Sequence, residues 1–181
     1  MNPIFERHSV RHFDGRSVCD DDIRRIVEAG CAAPSSKNEQ PWKVVVIKQP
    51  RLSKIASELR DIAEKLPDER KGSVTETFSI MGTAPVCLFV FLESKWQNPR
   101  FFAHMQSVGA FIENMLIEAQ SLGIGSLWCG DVLEVDIEAA RLLGTESYPV
   151  AALLFGYENN GIFRKKHKTP EDLLIRGYDE W

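Results

Sequence analysis

The sequence predicts a single domain, residues 1–181, in which helices and strands share one core. Three observations predict it. The chain has 181 residues, 44% hydrophobic and 27% charged, a composition and length typical of one soluble globular unit. Short β-branched or aromatic runs alternate along it with stretches of helical apolar spacing. No repeat, low-complexity tract or linker interrupts that alternation.

The elements follow in order. "ERHSVRHF" (Glu6 to Phe13) precedes any apolar period and crowds cations and donors together. Asp20 to Asp22 cap a helix whose Ile23, Ile26, Val27 and Cys31 recur at helical spacing, closed by Pro34. "APSSKNEQPW" is a loop of turn formers and amides, and "KVVVIK" a short buried strand. Leu52 to Leu66 is amphipathic and helical, whereas "DERKGSVTETFS" lacks a firm period and reads as irregular. "APVCLFVFL" is the strongest strand signal. Phe101 to Leu122 is helical with apolar residues on more than one side, as expected of an enclosed central helix. "LGIGSLWCGDV" is a Gly-punctuated strand and loop, Leu133 to Leu143 a short helix, and "YPVAALLFGY" another buried strand. A basic loop, "FRKKHK", and a short acidic helix near "TPEDLL" follow. Strand direction is left open by this pattern.

Charge and composition exclude some function classes. With 22 Lys+Arg against 26 Asp+Glu the net charge is −4, so no global basic field invites nucleic acid. The longest apolar run, Ala84 to Leu92, is far short of the roughly 20 residues a bilayer requires, and no membrane partner is expected. The N-terminus has no apolar stretch of secretory length. Cys19, Cys31, Cys87 and Cys129 form no C-x-x-C pair. The expectation is reduced thiols in a cytoplasm, without a zinc site or disulfide framework.

Four stretches carry the types of residue that bind ligands. Arg7, His8, Ser9 and Arg11 offer arginine forks and a short hydroxyl suited to phosphate oxygens. Ser35, Ser36, Asn38 and Gln40, held between Pro34 and Pro41, can read the carbonyls and ring nitrogens of a flat heterocycle. In "SLWCGDV", Gly130 admits close backbone approach and Trp128 presents a flat apolar surface. Arg164, Lys165, Lys166, His167 and Lys168 form a second basic run, which could converge with the first on a phosphate carrying about −1.5 to −2 charges. Taken singly, each also fits an ordinary solvated turn, capping loop or core strand end.

In this order, the stretches resemble the nitroreductase family of FMN-dependent oxidoreductases. "RHSVRHF" is similar to the family's opening Arg-x-Ser-x-Arg element. "AGCAAPSSKNEQPWKVVVI" is similar to its loop ending in Asn-x-Gln-Pro-Trp. The resemblance runs from Arg7 to about Leu174. It implies an α+β three-layer sandwich with a central mixed sheet, built as an intertwined homodimer with flavin sites at the subunit interface. It implies that Arg7, His8, Ser9 and Arg11 meet the FMN phosphate, ribityl chain and nearby ring atoms. Pro34, Ser35, Ser36 and Asn38, with Gln40 as a further contact, would lie against the isoalloxazine of the partner subunit's site. Cys129 and Gly130 would place backbone beside the redox-active ring nitrogen, and Arg164, Lys165 and His167 would complete the phosphate site. Two departures stand out: "RKKHK" replaces the family's usual Arg-x-Arg, and the stretch from Leu66 to Ser79 matches nothing in the family pattern.

The activity so implied is transfer of electrons from NAD(P)H through flavin to a small electron-poor acceptor such as a nitroaromatic or quinone, ping-pong in one shared pocket. No catalytic side chain and no metal is expected, since the redox chemistry belongs to the cofactor. The alternatives are a dehalogenase or oxidase on the same scaffold, and a protein that binds flavin or another phosphorylated ligand without turnover. Thiol catalysis through Cys129 or Cys31 has little in its favour, because neither has a histidine neighbour in sequence.

Overall fold

The structure, a computed structural model, describes residues 2–159 and Lys168. Arg164, Lys165 and His167, and the acidic helix expected after them, lie outside the described residues. Among the described residues four strands form one sheet: β1 (Trp42–Lys48), β2 (Val86–Leu92), β3 (Gly125–Cys129) and β4 (Tyr148–Gly156), in the order β1-β2-β4-β3. Neighbouring strands run antiparallel, from Val45 opposite Phe89 to Leu127 opposite Leu154. The parallel element is a single bridge, Ser9 to Ser126, which adds the N-terminal segment beside β3.

The alternation of side chains explains the layers. Along β2, Cys87, Phe89 and Phe91 enter one apolar cluster while Val86, Leu88, Val90 and Leu92 enter another. A strand buried on both faces has no polar side, which is why its sequence is a continuous apolar run. One face is covered by α2 (Asp20–Cys31) and α5 (Phe101–Ser121), whose Ile26, Phe111, Ile112 and Met115 fill the second cluster. The other is covered by α3 (Arg51–Ala63), α4 (Asp68–Thr83) and α6 (Asp136–Leu142), through Leu59, Phe78 and Ala139. Helices, sheet and helices make the three-layer α+β sandwich. At one edge Trp42 of β1 stacks on Phe111 with centroids 4.7 Å apart. A short N-terminal helix, α1 (Pro3–Glu6), precedes the basic segment.

Three expectations change. β1, read as a buried strand, lies at the sheet edge with only Ile47 buried and Val46 42% exposed. The stretch 68–79 is not irregular but most of the 16-residue α4. Only Val74, Phe78 and Met81 of that helix are buried, and Gly72 and the surrounding charges dilute this narrow stripe beyond recognition. The helix expected from Leu133 is preceded by a 3-10 turn, Asp131–Val135, and the α-helix itself begins at Asp136.

Candidate functional site

A cleft of about 320 Å³ opens where β3 ends, walled by Leu127, Trp128, Cys129 and Gly130, by Arg11, and by the α4 face carrying Thr77. Strand alternation builds the wall. Cys129 and Leu127 turn into the core while Trp128 remains 42% exposed. After Cys129 the chain leaves the sheet at Gly130 and tightens into the 3-10 turn, with Leu133 N donating to Gly130 O at 3.0 Å. Gly130 has φ −81° and ψ −18°, an ordinary right-handed conformation, so torsional freedom is not the reason for a glycine here. A Cβ at Gly130 would meet no protein atom within 4 Å. Gly130 thus lines the cleft at a point where the protein leaves open space for a side chain.

Arg11 is delivered by the segment that flanks β3. Val10 N donates to Ser126 O at 2.9 Å, and Asn159 N donates to His12 O at 3.0 Å. Val10 and Phe13 are buried, which turns the exposed Arg11 outward between them. The fit is close: a Cβ at Gly125 would lie 2.7 Å from Val10 Cγ2, so glycine allows the segment to reach the strand. Arg11 forms no ion pair or hydrogen bond with another described residue. Its neighbours in the segment are engaged. Arg7 Nε lies 3.7 Å from Glu113 Oε1. The His8 ring nitrogens lie 3.1 Å from Glu6 O and 3.1 Å from Glu158 Oε2. Ser9 is exposed beside the bridge to Ser126.

The cleft also holds carboxylates. Thr77 Oγ1 donates to Asp131 Oδ2, joining α4 to the 3-10 turn, and Glu76 lines the same wall. Burial pushes the Cys129 thiol up to about 12, with the nearby Asp131 charge adding to the effect and Arg11 opposing it. Burial likewise holds the Cys87 thiol well above its ordinary range. Both sulfurs therefore keep their protons at neutral pH, and neither is an activated nucleophile.

The loop Pro34–Gln40 is built at a different place. It docks on α5, with Ser36 N donating to Ser107 Oγ at 3.1 Å, and closes on itself as Gln40 N donates to Ser35 Oγ at 3.0 Å. Gln40 Nε2 donates to Asn38 Oδ1 at 3.4 Å. Lys37, Asn38 and Gln40 hold φ of 56°, 57° and 47°, left-handed conformations that cost a non-glycine residue about 1–3 kcal/mol each. Tertiary contacts must hold such a loop. It does not line the cleft of its own chain. Of the candidate residues, Arg11, Cys129 and Gly130 therefore meet in one cleft, Arg7, His8 and Ser9 adjoin it along the same segment, and residues 34–40 stand apart.

Sequence reasoning missed Thr77, Glu76 and Asp131, since α4 itself gave no periodic signal. It also passed over Glu39 and His104, which the loop's docking brings together. A larger cavity of about 1040 Å³, with Trp96, Phe101, Ile137 and Tyr148 in its walls, contains none of the sequence candidates.

Residues 4–157 match the nitroreductase family. The chain belongs to that family. A protein of Archaeoglobus fulgidus with the provisional name NADH dehydrogenase/NAD(P)H nitroreductase is 32% identical over 130 residues, 72% of this chain and 66% of its own. This nitroreductase-family chain thus spans just under two thirds of that relative. Among solved structures, a BluB-like flavoprotein from Clostridium difficile 630 superposes with a TM-score of 0.80 at 25% identity, covering 96% of both chains. A nitroreductase with bound FMN from Bacteroides fragilis NCTC 9343 gives a TM-score of 0.79 at 25% identity, over 96% of this chain and 95% of the other. The helices and antiparallel sheet of the α+β sandwich are those of nitroreductase-family structures. Among the described residues no helix is long and apolar enough to cross a membrane.

Proposed function

We propose that this chain is an FMN-dependent oxidoreductase that passes electrons from NAD(P)H to a small electron-poor acceptor, the two substrates taking turns in one pocket. The observation that carries the reading is the cleft at the end of β3, lined by Arg11, which has no carboxylate partner among the described residues, and by Gly130, where an added Cβ would meet open space. Those groups suit a phosphorylated cofactor with a flat ring: Arg11 supplies charge, Gly130 close backbone approach, and Leu127 and Trp128 an apolar wall. FMN, when bound, accepts a hydride and passes on the electrons.

The chain's own residues bind and orient. Arg11 and Ser9 would hold the phosphate end, helped by Arg7 and His8 once these leave Glu113 and Glu158. Arg164, Lys165 and His167 are proposed to complete that end on the strength of the resemblance. Glu76 and Asp131 repel an anion, so the phosphate belongs toward Arg11, and their side of the cleft to the neutral ring. Backbone at Cys129 and Gly130 would meet the ring, with the protonated Cys129 thiol a spectator.

The working unit is proposed to be a homodimer in which Pro34, Ser35, Ser36, Asn38 and Gln40 of one subunit close on the ring held by the other. Two observations support it. The loop stands apart from its own chain's cleft, and Phe5 and Phe102 are 76% and 80% exposed.

Titration of FMN followed by flavin fluorescence tests the site. Arg11→Ala is expected to weaken binding by about 1.5–3 kcal/mol, one charge-assisted contact, with the melting temperature unmoved. Equal affinity in the variant and the parent protein would place the phosphate elsewhere.

A further inference from the structure

His104 is a buried titratable side chain, 2% exposed, that the chemistry above leaves without a role. It sits in the first turns of α5, where Nδ1 lies 2.9 Å from Ser94 Oγ. Its Nε2 lies 3.1 Å from Glu39 Oε2, yet off the line of a hydrogen bond, so this buried nitrogen has no hydrogen-bond partner among the described residues. Four residues earlier, at the N-cap position just before α5, Arg100 pairs with the other oxygen of Glu39. Glu39 is thus hydrogen-bonded and ion-paired through one carboxylate oxygen to Arg100, while its other oxygen stands 3.1 Å from His104 Nε2 at the start of α5. It is also flanked by the left-handed residues, Lys37 and Asn38 before it and Gln40 after it.

A strained loop persists only where its surroundings over-determine it. Here, besides the Ser36 N to Ser107 Oγ bond, the grip on Glu39 is the tertiary anchor inside the left-handed stretch. The Nδ1–Ser94 Oγ hydrogen bond holds the ring with its Nε2 edge toward the Glu39 carboxylate. We propose that His104 and Arg100 are positioning residues that act through Glu39 to hold Asn38 and Gln40 in the conformation presented to the flavin ring. The inference rests on the reading that this loop lies against the ring. The proposal gives neither residue a contact with substrate or cofactor. Their effect is to fix where the loop's amides stand, and the Ser94 bond fixes which way the imidazole faces.

Two measurements test this, one of which needs no flavin. In the FMN-free protein, tryptic cleavage after Lys37 reports how often the loop opens. In the FMN-loaded protein, the flavin midpoint potential reports how the loop's polar groups meet the ring. Glu39→Ala, at an exposed loop position, and His104→Asn, which keeps a group near Ser94 but loses the one facing Glu39, are expected to speed cleavage about two- to tenfold, the worth of one hydrogen bond. Both are also expected to displace the potential. His104→Gln, which restores a donor near Nε2, is expected to return both readouts toward the parent values. Parent-like cleavage and potential in Glu39→Ala would overturn the proposal. Faster cleavage with an unmoved potential would overturn the link between the clamp and the ring. A parent protein that binds no FMN would remove the functional reading instead, while parent-like cleavage in Glu39→Ala would still overturn the clamp.

Discussion

At Cys129 the fold raises the thiol from its ordinary value of 9.0 to about 12, and the sign of the linked stability follows. The native state holds the proton more tightly than the unfolded chain. This contribution is therefore complete below pH 9 and is lost as pH rises from there toward 12. Urea unfolding at several alkaline pH values should show parent stability falling more steeply than that of Cys129→Ala, by up to about 1.4 kcal/mol per pH unit. Cys87 adds a fall of the same sign to both proteins. Parallel slopes in the two proteins would contradict the buried, protonated assignment. Gly130 makes the complementary case. Because its backbone is right-handed and its Cβ would meet no protein atom, Gly130→Val should leave the melting temperature within a degree or so, a surface-like effect. The same change fills the cleft and should weaken FMN binding at least several-fold. A lowered melting temperature with full affinity would show that Gly130 serves the fold rather than the ligand.

Among the elements, α4 shows how little of a helix must be apolar for it to be held. Val74, Phe78 and Met81 are each no more than 1% exposed, although the rest of the helix is largely polar. Phe78→Ala should cost about 3–5 kcal/mol, read from the urea midpoint at constant m-value. A loss under about 1 kcal/mol would mean that α4 is a surface attachment. This helix also marks where the sequence stops being readable. The strands were legible because burial on both faces of the sheet leaves β2 and β4 no polar positions. The central helix was legible because apolar residues surround much of α5. α4 is held by its narrow buried stripe against α3 and by the Thr77–Asp131 and Arg70–Glu134 bonds, and the two bonds join positions more than fifty residues apart. The site divides in the same way. Arg11 and Gly130 were visible as residue types suited to a phosphorylated ring, and Cys129 only through the family resemblance. The left-handed turn of Lys37, Asn38 and Gln40 was not, because no glycine advertises it and its anchors, Arg100, His104 and Ser107, lie some sixty to seventy residues further on.

For the whole molecule, the homodimer proposed above rests on the exposed Phe5 and Phe102 and on the loop standing away from its own cleft. Sedimentation equilibrium at micromolar concentration should give a dimer, and Phe102→Glu should weaken it, since a charge in an apolar interface is left unpaired. A monomer that retains FMN would contradict the shared site. The central claim is electron transfer rather than flavin storage, and anaerobic titration of the FMN-loaded protein with NADH or NADPH tests it most directly. Either nucleotide should abolish the visible flavin absorption, and a nitroaromatic or quinone should restore it. A protein that binds FMN yet keeps its oxidised spectrum under both nucleotides would be a flavin carrier, and the account would be wrong.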